Sequence, residues 1–247
     1  MSSNTHSGPG PTALNPAGPS ALVESLFPPG VAAAELCTPG DPALLDPEEA
    51  QIVARAVPKR VGEFAAGRLC ARSALARFGV TSFAVRAARD RQPLWPAGLV
   101  GSITHTQGFC AAVIGEQARF VGLGLDTEHA DAVRSELWPS ICTAEELAWI
   151  ASLSAEERTR AAALMFAAKE AFYKCQYPST GEWLSFADLR IVPLDWAALQ
   201  GSFQVEARRT LRVFAAERSG SPQLLCTAYR FHEAFVTAGV ALVRKGG

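Results

Sequence analysis

The stretch VGLGLDTEHAD, residues 121–131, opens as an alternating strand and closes on two carboxylates. Val121, Leu123 and Leu125 alternate with Gly122 and Gly124, the two-residue period of a strand with one face buried. Asp126 and Glu128 are again two residues apart, so both project from one face of the same strand. Ionised together they repel, and a positive partner is expected beside them: a lysine, a helix end or a metal ion. The plain alternative is an exposed turn with two solvated acids, and so short a motif carries little weight alone.

A third carboxylate lies downstream in FAAKEAFYK, residues 166–174. Glu170 and Lys174 are i and i+4 and share a helix face, while Lys169 lies about 100° round the helix. A surface ion pair is the ordinary reading of such a pair. Here Phe166, Ala167, Ala168, Ala171, Phe172 and Tyr173 surround it, which predicts a partly buried turn in which charges need partners. Capping boxes at Thr143/Glu146 and Ser154/Glu157 start two helices, the second expected to run to about Cys175 and stop before Tyr177-Pro178. A hard dication such as Mg²⁺ is commonly held by one or two carboxylates together with substrate phosphates.

Upstream, PKRVGEFAAGRLCARSALARF (residues 58–78) has broadly helical apolar spacing with Gly79 as its stop. Arg60 and Arg68 would stand about 12 Å apart along its axis and about 80° apart in azimuth, with Arg72 a turn further on. Gly62 and Gly67 interrupt this helix, as a close approach by a ligand or another backbone would explain. Short strand candidates follow, then a loop, RQPLWPAGLVGS, which with its surroundings supplies Arg89 and Arg91. GSITH, residues 101–105, is read as part of the loop; its small residues, hydroxyls and imidazole suit an anion, with Thr104 and His105 as donors. FCAAVIG, LRIVPL, SFQVEARR, LLCTAYRF and FVTAGVALV read as strands. Each half thus pairs a long helix with several strands, an α+β pattern, and no repeat is visible by identity.

Composition bounds the partners. The chain has 247 residues, 49% hydrophobic and 19% charged, with a formal net charge of −1; this gives no global electrostatic case for nucleic acid or an anionic membrane. No stretch approaches the ~18 apolar residues of a membrane span. The start has no basic region followed by an apolar core, so a secretory signal is not expected, and residues 1–20 are expected to be disordered. Six cysteines lie more than thirty residues apart without a C-x-x-C pair, which leaves a reduced, cytoplasmic protein as the simplest expectation. Arginines, three acids and a lysine together suit a polyanionic phosphate ligand, while P-loop, kinase and Rossmann fingerprints are absent.

In their order, RVGEFAAGRLCAR, PLWPAGLVGSITH, GLDTE and FAAKEAFYK resemble the 4'-phosphopantetheinyl transferases of the Sfp/EntD type, over roughly residues 60–174. The resemblance implies a monomer of two similar α/β halves, residues 21–120 and 121–247, with the active site in the cleft between them. It implies Mg²⁺-dependent transfer of the 4'-phosphopantetheine arm of coenzyme A to a serine of an apo acyl, peptidyl or aryl carrier protein. Adenosine 3',5'-bisphosphate is the other product, and siderophore, nonribosomal peptide or polyketide assembly is the setting. Asp126, Glu128 and Glu170 match the family's metal acids, and Glu170 its proposed base. Arg60, Arg68, Thr104 and His105 match coenzyme A contacts, Lys174 the lysine beside the pyrophosphate, and Arg89 to Gln92 more loosely the segment at the adenosine. The alternatives are a Mg²⁺-dependent hydrolase of a coenzyme A-like diphosphate and a non-catalytic coenzyme A or carrier-binding module.

Overall fold

The computed structural model describes residues 18–215 and 223–245, so most of the expected N-terminal disordered segment lies outside the described residues. The described chain begins with a two-residue strand, β1 (Gly18–Pro19), paired to Glu35 and Ala34, and Ser20 caps α1 (Ala21–Glu24). The described chain thus begins three residues before the expected boundary at Ala21.

Two units with the same winding follow. In the first, β2 (Val31–Leu36) leads through α2 (Pro47–Ile52) to the long α3 (Pro58–Ala76), and the hairpin β3 (Leu99–Thr106)–β4 (Phe109–Glu116) returns to it. In the second, β5 (Phe120–His129) leads through α4 (Trp138–Ile141) and α5 (Ala144–Ser152) to the long α6 (Ala155–Thr180). A small two-stranded sheet, β6 (Leu189–Pro193) with β8 (Phe203–Ala207), comes next; β7 (Gln200–Gly201) lies between them in sequence, and α7 (Arg212–Ala215) follows. The hairpin β9 (Gln223–His232)–β10 (Phe235–Arg244) closes the unit. The sheet orders are β1-β2-β4-β3 and β5-β10-β9-β7, antiparallel throughout. In both, the last strand of the unit inserts between the first strand and its own hairpin partner. The duplication that identity hides is plain in this topology.

Residue alternation stacks the two units as helix, sheet, sheet, helix. On β4, Cys110, Ala112 and Ile114 pack with Ala66, Cys70, Ala71 and Leu75 of α3. The intervening Phe109, Ala111 and Val113 turn to the other sheet and meet Leu123, Leu125 and Phe235. On β10, Val236, Ala238, Val240 and Leu242 face the buried side of α6, including Leu164, Ala168 and Phe172. All six cysteines are free, and Cys70, Cys110, Cys142 and Cys175 are buried in apolar surroundings. No described helix is long and apolar enough to cross a membrane.

Three local readings are corrected. First, α6 runs through Tyr177-Pro178 to Thr180. Proline removes a single helical N–H; Ser179 Oγ donates to the Gln176 carbonyl at 2.9 Å, and Gly181, at φ 61°, closes the end by donating its N–H to Tyr177 O at 2.8 Å. Second, residues 80–98 hold no strand, only an isolated bridge between Ala87 and Pro93. Side chains fasten this backbone instead: Val85 N–H donates to Glu49 Oε1 at 2.8 Å, and Arg68 Nε donates to Val85 O at 2.7 Å. Third, GSITH lies within β3, where all five residues pair with β4.

Candidate active site

The glycines of the 121–131 stretch explain how its acids reach the third one. Gly122 and Gly124 share the face that carries Asp126 and Glu128, and that face lies against the α6 backbone. A Cβ on Gly122 would come within 2.1 Å of Cys175 O, and one on Gly124 within 1.8 Å of Ala171 O. Only hydrogen fits there. This close approach brings Asp126 to Lys174, one turn beyond Glu170: Lys174 Nζ donates to Asp126 Oδ1 at 2.6 Å and to Leu125 O at 3.3 Å.

Around that pair the electrostatics favour extra positive charge. Asp126 is 5% exposed, and burial raises its carboxyl above the ordinary range while the Lys174 charge opposes the rise. Its Oδ2 is buried with no hydrogen-bond partner. Burial, and after it the Asp126 charge, pushes Glu128 up to about 7. Glu170 is raised as well, by burial first and then by Asp126. Among the described residues no three or more His, Cys, Asp or Glu side chains already converge as a metal-holding group. The three acids are coupled through their fields, with one lysine among them and one oxygen unsatisfied, a donor set that a hard oxygen-seeking dication fits.

A cavity of about 350 Å³ opens between α3, β3 and the C-terminal part of α6. Arg60, Arg68, Arg91, His105 and Lys174 all line it, together with Glu63 and Asp90. Arg60 bonds to His105 through Nη1 and Nε2 and pairs with Glu63 at 3.5 Å. A guanidinium only donates, so Nε2 accepts and the neutral ring keeps its proton on Nδ1. Burial and then the charges of Arg60 and Lys174 hold the imidazole below its usual pKa. Arg68 is 7% exposed and stands 4.1 Å from the centroid of the Phe64 ring. Burial lowers its pKa to about 10.

The structure thus brings together Arg60, Arg68, Arg91, His105 and Lys174 on one cavity, with Asp126, Glu128 and Glu170 clustered about that lysine. Two expected contacts do not join them. Arg89 is exposed and does not line the cavity, because the turn closed by Arg91 N to Ala88 O presents Asp90, Arg91 and Gln92 instead. Thr104 is 1% exposed and turns its hydroxyl toward β5, the consequence of GSITH being a strand. Sequence reasoning also passed over an aromatic group. Tyr173 stacks on Tyr177 at 5.0 Å and meets Trp183 edge-on at 5.4 Å. Tyr173 and Trp183 separate the first cavity from a second of about 510 Å³, which Glu170 lines. The i, i+4 tyrosines were the available signal; Trp183, 74% exposed, gave none.

Duplicated helix-on-sheet units thus bring clustered acids and cations together where they meet. The chain matches the 4'-phosphopantetheinyl transferase N-terminal domain over residues 48–115 and the 4'-phosphopantetheinyl transferase superfamily over residues 122–228. It is 42% identical over 159 residues to 4'-phosphopantetheinyl transferase Svp of Streptomyces mobaraensis, covering 63% of this chain and 65% of that one. It is 35% identical over 171 residues to 4'-phosphopantetheinyl transferase Npt of Nocardia iowensis, covering 69% and 76%. To 4'-phosphopantetheinyl transferase PptT of Mycobacterium tuberculosis it is 39% identical over 150 residues, covering 59% and 63%. The chain therefore spans roughly two thirds of the length of these relatives, and it belongs to the 4'-phosphopantetheinyl transferase superfamily.

Proposed function

We propose that this protein transfers the 4'-phosphopantetheine arm of coenzyme A to a serine of an apo carrier protein, with Mg²⁺ held by Asp126, Glu128 and Glu170. One observation carries the reading: Asp126, with one oxygen on Lys174 and the other unsatisfied, adjoins through that lysine a cavity that Arg60, Arg68 and His105 also line. That arrangement suits a pyrophosphate gripped by the cations and neutralised by an ion among the adjoining acids. Bound among the acids, Mg²⁺ would supply Lewis-acid charge to the pyrophosphate oxygens.

The chain's own residues would do the rest. Arg60 and Arg68 bind and orient the phosphates, with His105 offering its Nδ1–H and Arg91 a further cation from the loop. The carrier serine oxygen bonds to the phosphorus on the pantetheine side as the phosphorus–oxygen bond to the adenosine bisphosphate breaks. Lys174 faces the charge growing on the departing phosphate. Glu170, raised by burial and opening on the second cavity, takes the serine proton. One chain furnishes both walls, which supports action as a monomer.

Incubation with coenzyme A, Mg²⁺ and an apo carrier should add a phosphopantetheine-sized mass to the carrier and release adenosine 3',5'-bisphosphate. Cleavage of coenzyme A without a carrier would instead make the protein a hydrolase, and tight binding without turnover a recognition module. A panel of peptidyl, aryl and acyl carriers, read by mass spectrometry, identifies the pathway served.

A further inference from the structure

β3 and β5 lie at the edges of different sheets, yet they are stitched together. Backbone N–H groups of β5 donate to side-chain hydroxyls of β3: Leu125 N to Ser102 Oγ at 3.1 Å and Thr127 N to Thr104 Oγ1 at 2.9 Å. Ser102 and Thr104 are two residues apart, as are Leu125 and Thr127, so the hydroxyls stand where carbonyls of a regular ladder would. A threonine hydroxyl accepts through its lone pairs and has one proton to give. That of Thr104 points to Asp126 Oδ1, 3.4 Å away, the oxygen that also receives Lys174. Both neighbours of Asp126 therefore act on Oδ1, and Oδ2 is left buried and unpaired.

We infer that Thr104 is a positioning residue for Asp126: its hydroxyl fixes the β5 backbone at Thr127 and orients the Asp126 carboxylate so that Oδ2 is presented to the dication. It is not a phosphate ligand. The inference rests on the proposed metal role of Asp126. Thr104 does not line the cavity that Ser102, Ile103 and His105 reach, and at 1% exposure it has no path to a ligand there. Its hydroxyl is committed on both sides to β5.

The test measures Mn²⁺ binding directly, by electron paramagnetic resonance in the presence of coenzyme A, alongside coenzyme A binding by calorimetry in EDTA. Thr104→Val keeps the branched shape and removes the hydroxyl. Partners that orient a metal ligand are typically worth about 10–100-fold in metal affinity, so Mn²⁺ binding should weaken by at least about 10-fold. Metal-free coenzyme A binding should stay within about twofold, since no phosphate contact is lost. Thr104→Ser, which restores the hydroxyl, should recover the Mn²⁺ affinity. Weakened metal-free coenzyme A binding with unchanged Mn²⁺ affinity would overturn the inference and make Thr104 a phosphate contact. Asp126→Asn separates the two readings. If it binds Mn²⁺ like wild type, the metal role of Asp126 is wrong; if it loses Mn²⁺ while Thr104→Val keeps it, only the role of Thr104 is wrong. Should the valine variant fail to fold, Thr104→Cys, similar in size and a weak donor, replaces it in the same measurement: weakened Mn²⁺ binding supports the positioning role, and unchanged Mn²⁺ binding overturns it.

Discussion

At Glu128 a carboxyl whose usual pKa is 4.5 is pushed up to about 7 by burial and by Asp126. The sign of its linkage follows. The folded state holds this proton more tightly than the unfolded state, so the contribution to stability is fully present below 4.5 and is lost as pH rises through about 7. Asp126 and Glu170 shift the same way. In EDTA, the melting temperature should fall between about pH 5 and pH 8, and Glu128→Gln should flatten that slope. Under the proposed metal role an ion would compete with protons for the same oxygens, so the Mg²⁺ concentration needed for half-maximal stabilisation should rise as pH drops below about 7. A pH-independent Mg²⁺ requirement would contradict the assignment. Glu170→Gln keeps the shape and removes the proposed base; turnover should drop about 10²–10⁴-fold while calorimetry still records coenzyme A binding. Retention of wild-type turnover would remove Glu170 from the chemistry.

Within elements, neighbouring residues take opposite tasks. Lys169 and Glu170 adjoin on α6, yet Lys169 points inward, 1% exposed, and donates to Glu146 Oε2 at 2.7 Å, Ile141 O at 2.8 Å and Phe186 O at 3.0 Å. Glu146 in turn accepts from Ile191 N and Thr143 N, so this buried pair ties α5, α6 and β6 together. Lys169→Met would strand the Glu146 charge and should cost about 3–5 kcal/mol, read from urea unfolding; a loss under about 1 kcal/mol would mean Glu146 takes up a proton or water instead. Gly124→Ala meets the Ala171 carbonyl itself, a backbone atom, and should destabilise by at least about 1–3 kcal/mol while prising Asp126 from Lys174. Much of this is legible in the sequence. Alternation in 121–131 marks the strand and its acidic face, and the capping boxes mark α5 and α6. The reason for the glycines is not legible, because it lies in the α6 backbone some fifty residues away. Nor is the strand at GSITH, whose hydroxyls read as anion donors until β5 is in place to use them. Lys169 resembles a surface charge because its three acceptors come from distant segments.

Across the whole molecule, the two units share a winding order but divide the labour. The first supplies Arg60, Arg68 and His105 from α3 and β3; the second supplies Asp126 and Glu128 from β5, with Glu170 and Lys174 from α6. Hydroxyl-to-backbone bonds along the β3–β5 edge, with the apolar core between the sheets, hold the halves in register. A ligand bridging both units therefore couples its binding to the integrity of that junction. Under the proposed function, coenzyme A with Mg²⁺ at a hundredfold excess over Kd should contribute about 2.7 kcal/mol to folding. For a chain of this size that is a rise of roughly 5–10 °C in melting temperature. Neither component alone should reach it, because coenzyme A would answer only the cations and Mg²⁺ only the acids. Arg60→Ala, in the first unit, should weaken coenzyme A and reduce the joint rise, and Asp126→Asn, in the second, should abolish the part that depends on Mg²⁺. Differential scanning fluorimetry across these variants checks the division. A full rise in either variant would place the ligand outside the cleft, because a polyanion held from both sides cannot lose one side without losing affinity.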